Sequence, residues 1–395
     1  MVGVGFIVIV LVAAVASLFM AWTIGAGSSG STPFAPAVGA NAISVMRAGL
    51  VVGILGFAGA VLQGASVAGA VGTGLIRGPV TLTALAAAVG LTVAAILVSI
   101  GIYTGYPIPT GFTATGAIIG VGLSLGGLPA WDKYTQIASL WILVPPVGGG
   151  IAYVLARLLR DERIPERRTI PILGGVIGAI FANMTFVFLG GESISTSVAA
   201  SVSGFSLAGV GLVRVAITLA FALVVALVLR RDMAGDERSG QYHFLLVLGG
   251  LVAFSAGASQ VGLAIGPLIP LLDRLPITLL ALLVGGGLGL LIGSWTGAPR
   301  MIKALSQDYS SLGPRRSIAA LIPSFAIAQI AVFFAIPISF NEIIVSAIIG
   351  SGFAGGASAV SRGKMGYTAF AWVVTLVLAI GLSYGAYAVI ESIFL

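Results

Sequence analysis

A short stretch of this chain occurs twice. Ala117-Ile118-Ile119-Gly120-Val121-Gly122 returns 230 positions later as Ala347-Ile348-Ile349-Gly350-Ser351-Gly352, and Pro107-Ile108 returns as Pro337-Ile338 at the same separation. A second pair lies upstream, Ala21-Trp22-Thr23-Ile24-Gly25-Ala26 against Ala253-Phe254-Ser255-Ala256-Gly257-Ala258, 232 positions apart. Two matched pairs in one order and at nearly one spacing indicate an internal duplication. Each copy carries two glycine-rich apolar segments, so the fold must accommodate two related units with interrupted helices, the pattern expected of secondary transporters.

The copies are embedded in apolar sequence. Of 395 residues, 58% are hydrophobic and 8% charged, and the mean hydropathy is +1.14. No soluble core needs so much apolar sequence, whereas helices in lipid do. Spans are predicted at about 2–25, 48–69, 80–104, 136–158, 170–190, 206–229, 243–271, 275–296, 317–335 and 367–394. Two shorter stretches, 107–127 and 337–357, begin at proline and read as re-entrant or discontinuous pieces. The first segment, Val2 to Trp22, has no basic leader and reads as a retained span. The 57 glycines suit close helix contacts in a bilayer. The backbone of Gly27-Ser28-Ser29-Gly30-Ser31-Thr32-Pro33 needs partners that lipid cannot supply, so it must line a cavity buried in protein. With no cysteine, disulfide, thiol and Fe–S chemistry are excluded. The expected fold is therefore an all-α polytopic membrane protein of the cell membrane, with about 10–12 membrane segments and broken helices.

The net charge of +7 resembles a nucleic-acid signal, but the loops explain it without a nucleic-acid partner. One alternating path puts inside Arg47, Arg157, Arg160, Arg163, Arg167, Arg168, Arg230, Arg231, Arg238, Arg300, Lys303, Arg315, Arg316, Arg362 and Lys364. Only Arg77, Lys133 and Arg274 fall outside, and Arg214 lies within a span as a snorkelling residue or an internal partner. On this path the first unit enters from outside and the second from inside, so the repeats have inverted topology. The expected division is a first inverted repeat over 1–160, a connecting helix pair with cytoplasmic loops over 161–240, and a second inverted repeat over 241–395. A site between the repeats would lie near the bilayer midplane.

Hydroxyls and amides gather in the interrupted segments. A half-helix starting after Pro107 or Pro337 presents free N–H groups and a positive dipole end, which makes an anion site without a buried Arg or Lys. Ser28, Ser31, Thr110, Thr113, Ser259, Gln260, Ser339 and Asn341 are the candidate substrate-binding residues. The competing structural explanation is that small and hydroxyl residues simply let helices pack closely. Glu342 is the ionisable residue of these stretches and the candidate coupling residue; it could equally favour the start of its own half-helix. His243, the only histidine, makes no metal site, and the Gly148-Gly149-Gly150 and Gly285-Gly286-Gly287 runs lack the strand and lysine of a phosphate loop. Glu192, Ser193, Ser195, Thr196 and Ser197 read as a helix-capping region in an outside loop.

In order and spacing, the duplicated segments resemble the inorganic phosphate transporter (PiT) family of secondary anion transporters. That family has a Gly-Ala-Asn-Asp-x-Ala-Asn signature early in each half and a Pro-Val-Ser-Thr-Thr-His stretch later. Trp22 to Ser31 takes the first signature's place, and Phe254 to Pro267 takes the second's, keeping Ala264-Ile265-Gly266-Pro267. Pro337-Ile338-Ser339-Phe340-Asn341-Glu342 is similar to the later stretch, and Pro107 to Phe112 is a weaker copy. The signature Asp residues, which the family is expected to use for the coupling Na⁺, are here Ser28 and Gln260, and Glu342 stands where the family often has His.

The resemblance implies a permease for inorganic phosphate working by alternating access as a symporter, with H⁺ or Na⁺ as coupling ion and no other cofactor. It also suggests a homodimer. Sulfate or another tetrahedral oxyanion is the alternative substrate; monoprotonated phosphate carries a donor that Glu342 can accept, and sulfate carries none. A membrane-embedded enzyme would need nucleophile–base pairs that one peripheral histidine and no cysteine do not provide. A non-transporting anion sensor is the third reading.

Overall fold

The computed structural model describes residues 4–190, 196–203, 210–356 and 360–394. The chain forms α1 (Val4–Gly27), α2 (Ala35–Gly39), α3 (Val45–Gln63), α4 (Ala65–Thr73), α5 (Ala84–Thr104), α6 (Thr110–Ser124), α7 (Trp131–Leu158) and α8 (Glu166–Ala182). There follow α9 (Val198–Ser203), α10 (Val210–Gly235), α11 (Glu237–Ile265), α12 (Leu279–Thr296), α13 (Ala298–Gln307), α14 (Pro314–Phe333), α15 (Phe340–Phe353) and α16 (Arg362–Phe394). Among the described residues, nine helices are long and apolar enough to cross a membrane, and α6 and α15 are shorter apolar helices. Large apolar side chains point outward, for example Leu11 and Val15 of α1, Leu219 and Leu223 of α10, and Phe370 and Val373 of α16. That inverts the surface of a soluble protein and fits a multi-pass membrane protein.

Helix ends follow local chemistry. Thr83 accepts a hydrogen bond from the Ala86 amide at the start of α5, Asp236 caps α11, and Thr278 caps α12. Beyond α11 the chain continues as a 3₁₀ helix from Gly266 to Arg274, where Pro267 and Pro270 remove the donors an α-helix needs. The span expected at 48–69 is two helices meeting at Gly64. The span expected at 170–190 ends at Ala182, with a short strand and a 3₁₀ turn beyond it. The Ser197 hydroxyl accepts from the Ala200 amide at 3.2 Å, while Glu192, Ser193 and Ser195 lie outside the described residues.

The duplicated glycines sit at equivalent helix crossings whose partners are exchanged. A methyl added to Gly25 of α1 would collide with the backbone of Leu290 in α12, and one added to Gly257 of α11 with that of Gly56 in α3. Likewise, Gly120 of α6 abuts the backbone of Ile380 in α16, and Gly350 of α15 abuts that of Gly149 in α7. Backbones approach this closely only where the glycine leaves its own Cβ position free, which explains why the matched stretches keep these glycines in register.

Candidate functional site: two half-helix starts meeting in the core

Each half reverses direction before its short helix. After α5 the chain turns at Gly105, with φ 75°, and after α14 it turns at Ala335, with φ 50°, again 230 positions apart. Pro107-Ile108-Pro109 and Pro337-Ile338-Ser339 then run extended into α6 and α15. Neither helix start has a side-chain cap: Pro109 precedes α6 and Ser339 precedes α15 without such a bond. The first-turn amides therefore keep donors that no side chain of the cap position occupies.

Buried indoles and amides hold both turns, and the two tryptophans reach across from the other half. The indole of Trp372 donates to Pro107 O at 3.3 Å, and that of Trp141 donates to Pro337 O at 3.0 Å. The Asn341 amide donates to Ile108 O at 2.6 Å and to Gly27 O at 3.0 Å, and the Gln260 amide donates to Ile338 O. Gly111, in the first turn of α6, lies against the Ile338–Ser339 backbone, so the two helix starts meet. Phe112 stacks on Trp141 with ring centroids 3.9 Å apart. The carbonyls of both turns are thus satisfied, and the two helix starts lie against each other.

Among the expected site residues, Ser28, Thr110 and Gln260 converge. The Thr110 hydroxyl donates to Gln260 Oε1 at 2.6 Å and lies 3.2 Å from Ser28 Oγ; Ser28 Oγ is 3.4 Å from Gln260 Oε1. All three are completely buried. Ser339, Asn341 and Glu342 lie at the start of α15, all buried, and among the described residues Ser339 Oγ, Asn341 Oδ1 and both Glu342 carboxylate oxygens have no protein hydrogen-bond partner. Glu342 therefore does not cap its helix. Ser31, Thr113 and Ser259 are buried but turn their hydroxyls to local carbonyls, those of Ser28, Pro109 and Ala256. This back-bonding uses the donor each would offer a ligand.

Sequence reasoning missed Trp141 and Trp372, although they recur 231 positions apart. It also missed Gln63 and Gln329, whose buried amides pair across α3 and α14 at 3.0 Å, with Gln329 also donating to Ser255 Oγ at 2.6 Å. Polar residues inside apolar spans were the available signal. Arg214 is exposed on α10 and donates to Asn183 Oδ1 at 3.0 Å rather than joining this site.

Comparison with known proteins agrees with this architecture. Residues 24–383 match the Phosphate transporter family. A protein of Pyrococcus furiosus, provisionally named as a phosphate permease, is 27% identical over 93% of each chain. The chloroplastic inorganic phosphate transporter 2-1 of Arabidopsis thaliana is 24% identical over 91% of this chain and 68% of its own. A solved structure described as "The sodium-dependent phosphate transporter" superposes with a TM-score of 0.81 at 23% identity, covering 98% of this chain and 100% of that one, and shows a shared fold. The reading as a membrane-embedded enzyme falls with these matches. The chain is a multi-pass membrane protein and belongs to the Phosphate transporter family.

Proposed function

We propose that this phosphate transporter works by alternating access, with the anion bound where the starts of α6 and α15 meet and with the repeats 1–160 and 241–395 related by inverted topology. The observation that carries this reading is the convergence of two uncapped half-helix starts on fully buried hydroxyls and amides. A buried helix N-terminus stabilises an anion by up to about 2 kcal/mol. Each hydrogen bond to a charged group adds about 1.5–3 kcal/mol. Two helix ends and a few such bonds offset a desolvation penalty of several kcal/mol per ion. No buried lysine or arginine is needed. The exchanged glycine crossings and exchanged tryptophan contacts support the repeat relation.

Coupling follows from Glu342. An isolated buried carboxylate is costly, and a proton or a cation arriving with the substrate removes that cost. Ser28 and Gln260 supply only neutral oxygens, which hold Na⁺ weakly, so the proton is the favoured coupling ion and Na⁺ the competitor.

Substrate choice is tested by uptake of radiolabelled phosphate into proteoliposomes containing the purified protein, with excess unlabelled phosphate or sulfate. Suppression by phosphate and indifference to sulfate is the expected result. Equal suppression by sulfate would make the site a general oxyanion site, and no flux from a well-folded preparation would favour the sensor reading.

A further inference from the structure

Four arginines converge on the face that the distribution of basic residues assigns to the cytoplasm. Arg160, Arg238, Arg315 and Arg316 line one cavity of about 610 Å³ together with Gln241 and Tyr242. The arginines come from three separate places: the turn after α7, the first turn of α11 and the first turn of α14. Loop charge bias explains why they lie on this face. It does not explain why they converge on one concavity, since like charges brought together without a counter-ion repel.

Only one of the four is neutralised. Arg315 pairs with the buried Glu166, which Gln241 also holds from α11. Among the described residues Arg160, Arg238 and Arg316 make no ion pair. Their guanidiniums are positioned by neutral groups instead: Arg160 donates to Ala354 O at 2.7 Å, Arg316 to Ser311 O at 2.8 Å, and Arg238 to the Tyr242 hydroxyl at 3.3 Å. Each guanidinium has five N–H donors in a planar fork suited to phosphate oxygens. At the rim, Gly313 precedes α14 with no side-chain cap.

We propose that this cavity binds a soluble oligophosphate anion, two or more linked phosphates carrying several negative charges. Among the described residues Arg160 and Arg316 have no ion-pair partner and Arg238 has only the nearby Asp236, so the cluster asks for more than one negative charge. The volume lies in the range of small-molecule sites, about 300–1,000 Å³. Among the described lining residues only Leu312 and Pro314 carry aliphatic side chains, which gives an acyl chain little to rest on. The cavity beside Arg214, by contrast, is walled mainly by aliphatic and aromatic residues. This site is separate from the buried one and its test does not depend on transport.

The test is calorimetric titration of the purified full chain in detergent with tripolyphosphate, with orthophosphate and with a short-chain phosphatidylglycerol. The variants are Arg316→Gln, Arg238→Gln and, as a marker of the buried site, Thr110→Val. Tripolyphosphate is expected to bind more tightly than orthophosphate, to weaken about tenfold or more in each arginine variant, and to be unaffected by Thr110→Val. Among the described residues the Arg238 guanidinium bonds only to Tyr242, so its variant reports binding even where Arg316→Gln compromises folding. Unchanged affinity in Arg238→Gln, loss of binding in Thr110→Val, or binding of the lipid alone would each overturn the proposal.

Discussion

At the scale of single residues, Gln260 is the centre of the proposed site. Its Oε1 accepts from Thr110 and Ser28 and its amide nitrogen donates to Ile338 O, so one side chain joins α1, α6, α11 and the turn before α15. Gln260→Leu leaves a buried hydroxyl and a buried carbonyl without partners, each costing about 1–3 kcal/mol. We expect a lowered melting temperature and at least about a tenfold loss of phosphate uptake. Thr110→Val should lose uptake similarly while Thr110→Ser keeps it, measured as initial rates; equal rates in Val and Ser would remove the hydroxyl from the mechanism. The types of these residues were legible in the sequence, because hydroxyls and amides stand out in an apolar chain. Their roles were not. Ser31, Thr113 and Ser259 belong to the same polar stretches as Ser28 and Thr110, yet each spends its donor on a nearby carbonyl, a distinction set by helix geometry and invisible in residue identity.

At the scale of elements, close backbone crossings hold the halves together. Gly257→Ala and Gly350→Ala each drive a methyl into the backbone of a neighbouring helix, at Gly56 and Gly149. Overpacking of this kind costs about 1–3 kcal/mol. Gly285→Ala on α12 meets open space and helix propensity favours it by up to about 1 kcal/mol. Thermal denaturation in detergent should show large drops for the first two and none for the third; three equal shifts would mean the crossings do not limit stability. Elements were the most legible level. The prolines at 107 and 337 announced both half-helices, and hydropathy located the spans, since burial in lipid demands about 20 apolar residues of each. What stayed hidden was pairing. That α6 packs on α16 and α15 on α7, with Trp372 and Trp141 reaching across, depends on which copy's helices exchange, and motif spacing alone does not specify it.

At the scale of the whole molecule, two half-helix starts meet in one buried region, and Glu342 is the carboxylate there that has no protein partner among the described residues. On the proposed mechanism, charge compensation at that residue would link the anion to its driving ion. Sodium dependence is in the name of the solved structure with this fold, yet here Ser28 and Gln260 are neutral where the resembled signatures carry Asp. The most direct measurement is the initial rate of radiolabelled phosphate uptake into proteoliposomes under an imposed proton gradient, an imposed Na⁺ gradient or neither, for the wild type and Glu342→Gln. Acceleration by the proton gradient in the wild type and its loss in Glu342→Gln is the predicted result. Acceleration by Na⁺ alone, equal in both proteins, would contradict the account.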